Sequence, residues 1–217
     1  AEGALRLRVL EGRMTLDRAA LQGAIARLAA AMERDFDMLN TADGALGDGD
    51  LGVTMTRGMR LVAEKAGELP EDLGQALLAC AQSFTKASGS SYGTLMATGL
   101  MAMAKALKGE TSVPAARISE LVATARDQMQ ARGKAELGGK TVLDSLDAVA
   151  KATAGKDDPA AVADAAAAAV DEALETFRDR KATVGRARIF AEKSVGMDDP
   201  GMLAMNRIVK AVANREG

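Results

Sequence analysis

The sequence predicts an all-α protein, an antiparallel up-and-down bundle or closed barrel of eight helices. Three observations predict it. Apolar residues make up 48% of the 217 positions but aromatic residues only 2%, and Ala and Met dominate over the β-branched and aromatic types that strands favour. Apolar residues recur at helical spacing in segment after segment. Helix-start signals separate these segments, and the mostly short connections set neighbouring helices antiparallel. The length suits one domain spanning residues 1–217.

The first dozen residues are undecided, because Leu5, Leu7 and Val9 alternate over too short a span. A first helix is expected over 15–38, with Leu21, Ile25, Leu28 and Met32 on one face. A glycine-rich acidic segment, 43–52, follows it. The second helix runs from Thr54 to near Gly67, with Met55, Met59, Val62 and Ala66 inside. Pro70 opens the third, which ends near the serines at 88–91, and the fourth carries Leu95, Leu100, Met103 and Leu107. Pro114 opens the fifth, with Ile118, Leu121, Val122, Ala125 and Met129 inside and Gly133 after it. Thr141 with Asp144 forms a capping box for the sixth. Asp158-Pro159 opens the seventh, reaching about Arg180. Its Ala-rich stretch, 160–169, has linker-like composition, but Val170, Leu174 and Phe177 continue the helical period. Asp199-Pro200 opens the eighth, with Leu203, Ile208 and Val212 inward.

Composition also excludes functions. A formal charge of −2 gives no nucleic-acid surface. No apolar run approaches the ~20 residues that span a bilayer, and no secretory signal is read, so a cytoplasmic address is expected. The single cysteine, Cys80, cannot form an intramolecular disulfide, and its neighbours Leu77, Leu78 and Ala79 place it in the core. Histidine is absent, which removes the commonest general base and any phosphohistidine relay within the chain. Chemistry here falls to carboxylates and hard metal ions.

The most informative segment is Asp43-Gly44-Ala45-Leu46-Gly47-Asp48-Gly49-Asp50-Leu51-Gly52. Like charges this close are costly unless something positive sits among them. Glycine lets the backbone turn several carboxylates to one place, and oxygen ligands suit Mg²⁺ or Ca²⁺. Residues 47–52 match G-x-G-x-x-G, but a helix precedes them and two aspartates would repel bare phosphate, so the dinucleotide reading is rejected. The calcium-loop pattern fails because Gly52 occupies its third ligand position counted from Asp48.

Three further segments carry chemistry. Ser88-Gly89-Ser90-Ser91-Tyr92-Gly93-Thr94 fits either an anion-binding helix start or an ordinary capped turn. Gly138-Gly139-Lys140-Thr141 is one residue too long for a P-loop counted from Gly133, and no strand precedes it; Lys140 there either meets phosphate or is solvated. Arg186, after Gly185, offers a fork of donors for phosphate, or is a surface arginine.

Taken in order, these segments resemble the L subunit, or C-terminal domain, of the dihydroxyacetone kinase family. Residues 43–55, 89–94, 139–144 and 185–201 carry the resemblance, which extends over about 15–214. It implies an eight-helix barrel with a nucleotide, ATP or ADP, at one end. It implies that Asp43, Asp48 and Asp50 hold two Mg²⁺ ions and serve as the catalytic carboxylates. Thr54, Ser90 and Ser91 would lie near phosphate, Gly139, Thr141 and Leu143 would flank the base, and Arg186, Asp199 and Gly201 would close around the nucleotide. Leu51 stands where the family usually has His, so a phosphate or partner contact is lost or the substrate differs. Tyr92-Gly93 stands where the family often runs Gly-Pro-Leu.

The resemblance implies phosphoryl transfer to a small ketose, which the family binds covalently to a histidine of a separate K subunit. A chain without histidine cannot supply that anchor, so a K-type partner is expected. The donor is either exchanging ATP or a bound ADP recharged by a phosphohistidine protein of the sugar phosphotransferase system. Erythrulose or another small ketose is an alternative substrate to dihydroxyacetone, and a homo-oligomer is compatible with the sequence. A non-catalytic nucleotide-sensing module, or a plain structural bundle, is the rival expectation.

Overall fold

A computed structural model describes residues 9–10, 13–87 and 89–216. Among them are nine α-helices: α1 (Arg18–Arg34), α2 (Phe36–Leu46), α3 (Leu51–Glu64), α4 (Leu73–Ala87), α5 (Ser91–Ala106), α6 (Ile118–Gly133), α7 (Val142–Thr153), α8 (Pro159–Arg178) and α9 (Pro200–Ala213). Eight of them close a ring. Consecutive helices from α3 to α9 pack side by side, and α1 seals the ring against both α9 and α3. The expected all-α barrel is therefore the observed fold. The core it encloses is rich in methionine, with Met32, Met55, Met59, Met129, Met202 and Met205 among its buried residues. Cys80 is buried in the same core.

The ninth helix comes from a break that the apolar period does not signal. The expected helix over 15–38 divides at Asp35, whose backbone N–H still reaches the Ala31 carbonyl at 2.9 Å while the chain turns. Its carboxylate is buried against Arg34, which donates to it from Nε and Nη2 at 2.9 Å each. Beyond the break, α2 leaves the ring and packs on α3 and α9.

Other boundaries also move. Residues 15–17 are not helical: β2 (Arg13–Asp17) pairs antiparallel with β3 (Ser112–Pro114), Leu16 opposite Val113, and with β1 (Val9–Leu10). Pro114 thus ends a strand, and a single 3₁₀ turn, Ala115–Arg117, leads into α6. Pro70 lies in the approach to α4, which starts at Leu73, and α3 starts at Leu51 rather than Thr54. Val212, expected inward, is 46% exposed, because Ala211 takes the inner position at that turn of α9. Leu5, Leu7 and Ser88 lie outside the described residues.

The expected caps hold three helix starts. Thr141 and Asp144 make the reciprocal capping box of α7, Asp158 caps α8 through the Ala161 N–H, and Asp199 caps α9 through the Met202 N–H. No described helix is long and apolar enough to cross a membrane.

Candidate functional site

Alternation around the ring puts the N-termini of α3, α5, α7 and α9 at the same end of the barrel. Their first residues line one cleft of about 210 Å³: Asp50 and Leu51, Ser90 and Ser91, Thr141 and Val142, Asp199 and Pro200. Each start carries the positive end of a helix dipole. Four such positive ends around one space give it a field that favours negative charge.

Into this space α2 brings a carboxylate. Asp43 lies on the last turns of α2, not in a loop, and its Oδ2 accepts the N–H groups of Asp50 at 2.9 Å and Leu51 at 3.2 Å. One turn earlier, Asn40 Oδ1 accepts from Gly52 at 2.8 Å and Val53 at 3.3 Å. The side chains of α2 therefore cap α3. Gly49 turns the connection with a φ of 81°, the left-handed region that glycine enters without strain.

The ligand atoms of Asp43, Asp48 and Asp50 all lie within 4.8 Å of one another. Burial raises the pKa of the half-buried Asp43 above the ordinary carboxylate value, and the charge of Asp48 adds to that, while the N–H groups of Asp50 and Leu51 oppose it. Arg186 comes from the segment between α8 and α9 and pairs with Asp48, which raises the guanidinium pKa in turn. Three oxygen donors around one point, with no sulfur or imidazole, fit a hard divalent cation.

The far wall is apolar: Leu95, Met129, Val142, Leu143, Val184 and Ala187. Tyr92 donates its hydroxyl to the Gly201 carbonyl at 3.1 Å, joining the starts of α5 and α9. Asp199 is buried, and burial pushes its pKa up to about 6.

Eleven of the thirteen residues singled out in the sequence line this cleft: Asp43, Asp48, Asp50, Leu51, Ser90, Ser91, Thr141, Leu143, Arg186, Asp199 and Gly201. Thr54 and Gly139 do not. Thr54 is buried in the first turn of α3, its N–H on the Asp50 carbonyl at 2.9 Å. Gly139 stands behind the wall, where its carbonyl accepts from Thr183 at 3.2 Å and any Cβ would press on Val184 at 2.8 Å. Lys140 is neither solvated nor aimed at the cleft; it is buried, and its ammonium binds backbone carbonyls. Asn40 was not legible as a site residue. The signal was its place three residues before Asp43, which matters only once the helix is known to run on to Leu46.

A closed helical barrel whose alternate helices begin around one cleft with a carboxylate trio defines the class: an all-α domain with its cleft at one end. The chain belongs to the DAK2 domain family, whose model matches residues 45–214. It is 29% identical over 186 residues to the PEP-dependent dihydroxyacetone kinase 1, ADP-binding subunit DhaL, of Listeria innocua, covering 85% of this chain and 90% of that one. It is 31% identical to the L-erythrulose kinase of Pectobacterium atrosepticum, over 95% of this chain and 37% of that enzyme. It is 33% identical to human triokinase/FMN cyclase, over 80% of this chain and 31% of that enzyme. The chain thus spans about a third of the two longer relatives and most of the Listeria subunit. The crystal structure of the dihydroxyacetone kinase from C. freundii in complex with AMP-PNP and Mg²⁺ has the same fold, with a TM-score of 0.73 at 23% identity, covering 100% of this chain and 36% of that one. The resemblance read from the motifs is borne out.

Proposed function

We propose that the chain, as one domain, is the nucleotide- and Mg²⁺-binding subunit of a small-ketose kinase, transferring a phosphoryl group to a dihydroxyacetone-type substrate held by a separate K-type subunit. The observation that carries this reading is the meeting of three carboxylates, four helix starts and Arg186 in one cleft with an apolar wall. Phosphoryl transfer requires positioning and charge neutralisation above all, and this cleft offers both.

Asp43, Asp48 and Asp50 would hold two Mg²⁺ ions. When bound, these neutralise the phosphate oxygens and orient the transferred group. The start of α5 at Ser90 and Ser91 faces the phosphates with its positive dipole end, and Thr141 and Leu143 with the apolar wall flank the base. Arg186 adds a fork of donors beside the carboxylates, next to Asp48. Asp199 and Gly201, fixed by the cap of α9 and by Tyr92, close the rim. The chain has no histidine, so the ketose is anchored elsewhere, and the partner docks over the open cleft. Bound ADP recharged by a phosphohistidine protein is the favoured donor mode, since the Listeria relative is named both PEP-dependent and ADP-binding.

L-erythrulose is the second substrate reading, favoured by the Pectobacterium relative that matches 95% of this chain. Leu51, in place of the family's usual histidine, is the residue to examine for that difference.

Calorimetric titration of the purified, nucleotide-free chain with ADP and ATP, each with and without Mg²⁺, tests the reading. Metal-dependent binding is expected, with turnover only after a K-type subunit and ketose are added. Binding without turnover in that complete mixture would favour a sensing module. A folded chain that binds neither nucleotide would sink the kinase reading.

A further inference from the structure

Lys140 immediately precedes Thr141 at the start of α7, yet its side chain turns away from the cleft. It is fully buried, at 0% exposure, and Nζ donates to the carbonyls of Ser194 at 2.6 Å, Arg178 at 2.8 Å and Arg180 at 2.9 Å. An ammonium has three donors, and all three are used. Its backbone takes a φ of 62°, unusual for a residue with a side chain.

The three acceptors bracket one segment. Arg178 is the last residue of α8, where free carbonyls and the negative dipole end favour a cation. Ser194 ends the 3₁₀ stretch Arg186–Ser194. Between them runs a strap, residues 179–194, that delivers Val184, Gly185, Arg186 and Ala187 to the cleft. The strap's apolar anchorage is one small cluster, in which Ala182 and Ala187 are buried with Leu46 and Phe190 packs against them, while Ile189 is 77% exposed. Polar clasps add to it. Ser194 Oγ accepts from Ala182 at 2.8 Å, the Gly139 carbonyl accepts from Thr183 at 3.2 Å, and Lys140 grips both ends at once.

We propose that Lys140 is a positioning residue for the nucleotide, its buried ammonium fixing the strap, and through it Arg186, against the start of α7. The inference rests on the nucleotide-binding reading above. Lys140 does not touch the cleft, so its effect passes through backbone carbonyls and is read out at Arg186. Burial lowers its pKa, yet three carbonyl acceptors favour the protonated form that the geometry uses.

The experiment measures Mg-ADP affinity by calorimetry for the full chain, Lys140→Met, Arg186→Gln and the double variant, with Mn²⁺ affinity without nucleotide as the second readout. Lys140→Met should weaken Mg-ADP binding about tenfold or more without weakening Mn²⁺ binding at the carboxylates, and the double variant should be no weaker than the weaker single. General damage to the fold would weaken Mn²⁺ as well, and independent action would make the two losses multiply. Unchanged Mg-ADP affinity in Lys140→Met, weakened Mn²⁺ binding, or multiplying losses would each overturn the proposal. A wild-type chain that binds no Mg-ADP would overturn both this and the function it rests on. Should Lys140→Met fail to fold, Lys140→Gln, which keeps two N–H donors, replaces it and the same outcomes decide.

Discussion

Asn40 Oδ1 accepts the Gly52 N–H at 2.8 Å, so a side chain near the middle of α2 caps the start of α3. The same oxygen takes the Val53 N–H at 3.3 Å, which leaves Asp43 to serve Asp50 and Leu51. Two residues one helical turn apart thus divide the free N–H groups of α3 between them. Asn40→Ala should lower stability by about 1 kcal/mol, the ordinary value of a lost cap, as read by urea unfolding. It should also weaken Mg²⁺-dependent nucleotide binding, because Asp43 sits on α2, and Asp48 and Asp50 sit in the short connection between the two helices it joins. Unaltered affinity would mean that the cap serves stability alone.

Gly52 leaves no room for a side chain. A Cβ there would lie 2.3 Å from the Phe36 carbonyl oxygen and 2.8 Å from Asn40 Oδ1. Gly52→Ala should therefore cost about 1–3 kcal/mol by overpacking, more than the usual helix preference for alanine returns. A midpoint in urea equal to or above that of the wild type would contradict the close approach of α2 and α3.

The carboxylates are separable from the fold. Asp48 and Asp50 are exposed, so Asp48→Asn and Asp50→Asn should leave the far-ultraviolet circular dichroism unchanged. Each should reduce Mg²⁺-dependent nucleotide affinity by about 100-fold or more, since a neutral amide is a poor partner for a hard cation. Wild-type affinity in both variants would count decisively against the site.

Asp199 predicts a pH dependence. Burial raises its carboxyl from the ordinary 3.8 to about 6. The folded chain then binds a proton that the unfolded chain has already released between these values, so stability falls as pH rises from about 4 to 6 and levels off above. The difference corresponds to about 3 kcal/mol for this one group. Asp199→Asn keeps the cap but cannot ionise, and its stability curve should be flatter by that amount across the window. Parallel curves for variant and wild type would show that the carboxyl is not desolvated in the folded state.

The ring was legible because local signals and tertiary packing agree there. Asp158-Pro159, Asp199-Pro200 and the Thr141–Asp144 box each begin a helix where expected. The path of α2 was not legible. Ile25, Leu28, Met32 and Leu39 keep one period straight through Asp35, and the turn depends on Arg34 beside it and on α9 beyond. The short strands at 15–17 and 112–114 were hidden likewise, since only their pairing across nearly a hundred residues makes them strands. At the site, the residue types were readable but their supports were not. Lys140 has the sequence context of a phosphate ligand; only the meeting of the α8 end with Ser194 gives its ammonium other partners.

Closure of the ring has a kinetic side. The cleft draws on residues from Asp43 to Gly201, and the last of them arrive with α9, the helix that seals the barrel against α1. A nascent chain lacking α9 has most of the cleft wall but no rim at Asp199 and Gly201. A ligand that needs that rim would select only the sealed barrel and stabilise it by mass action. Protease resistance acquired on adding such a ligand would then report whether the first and last helices of the ring have met.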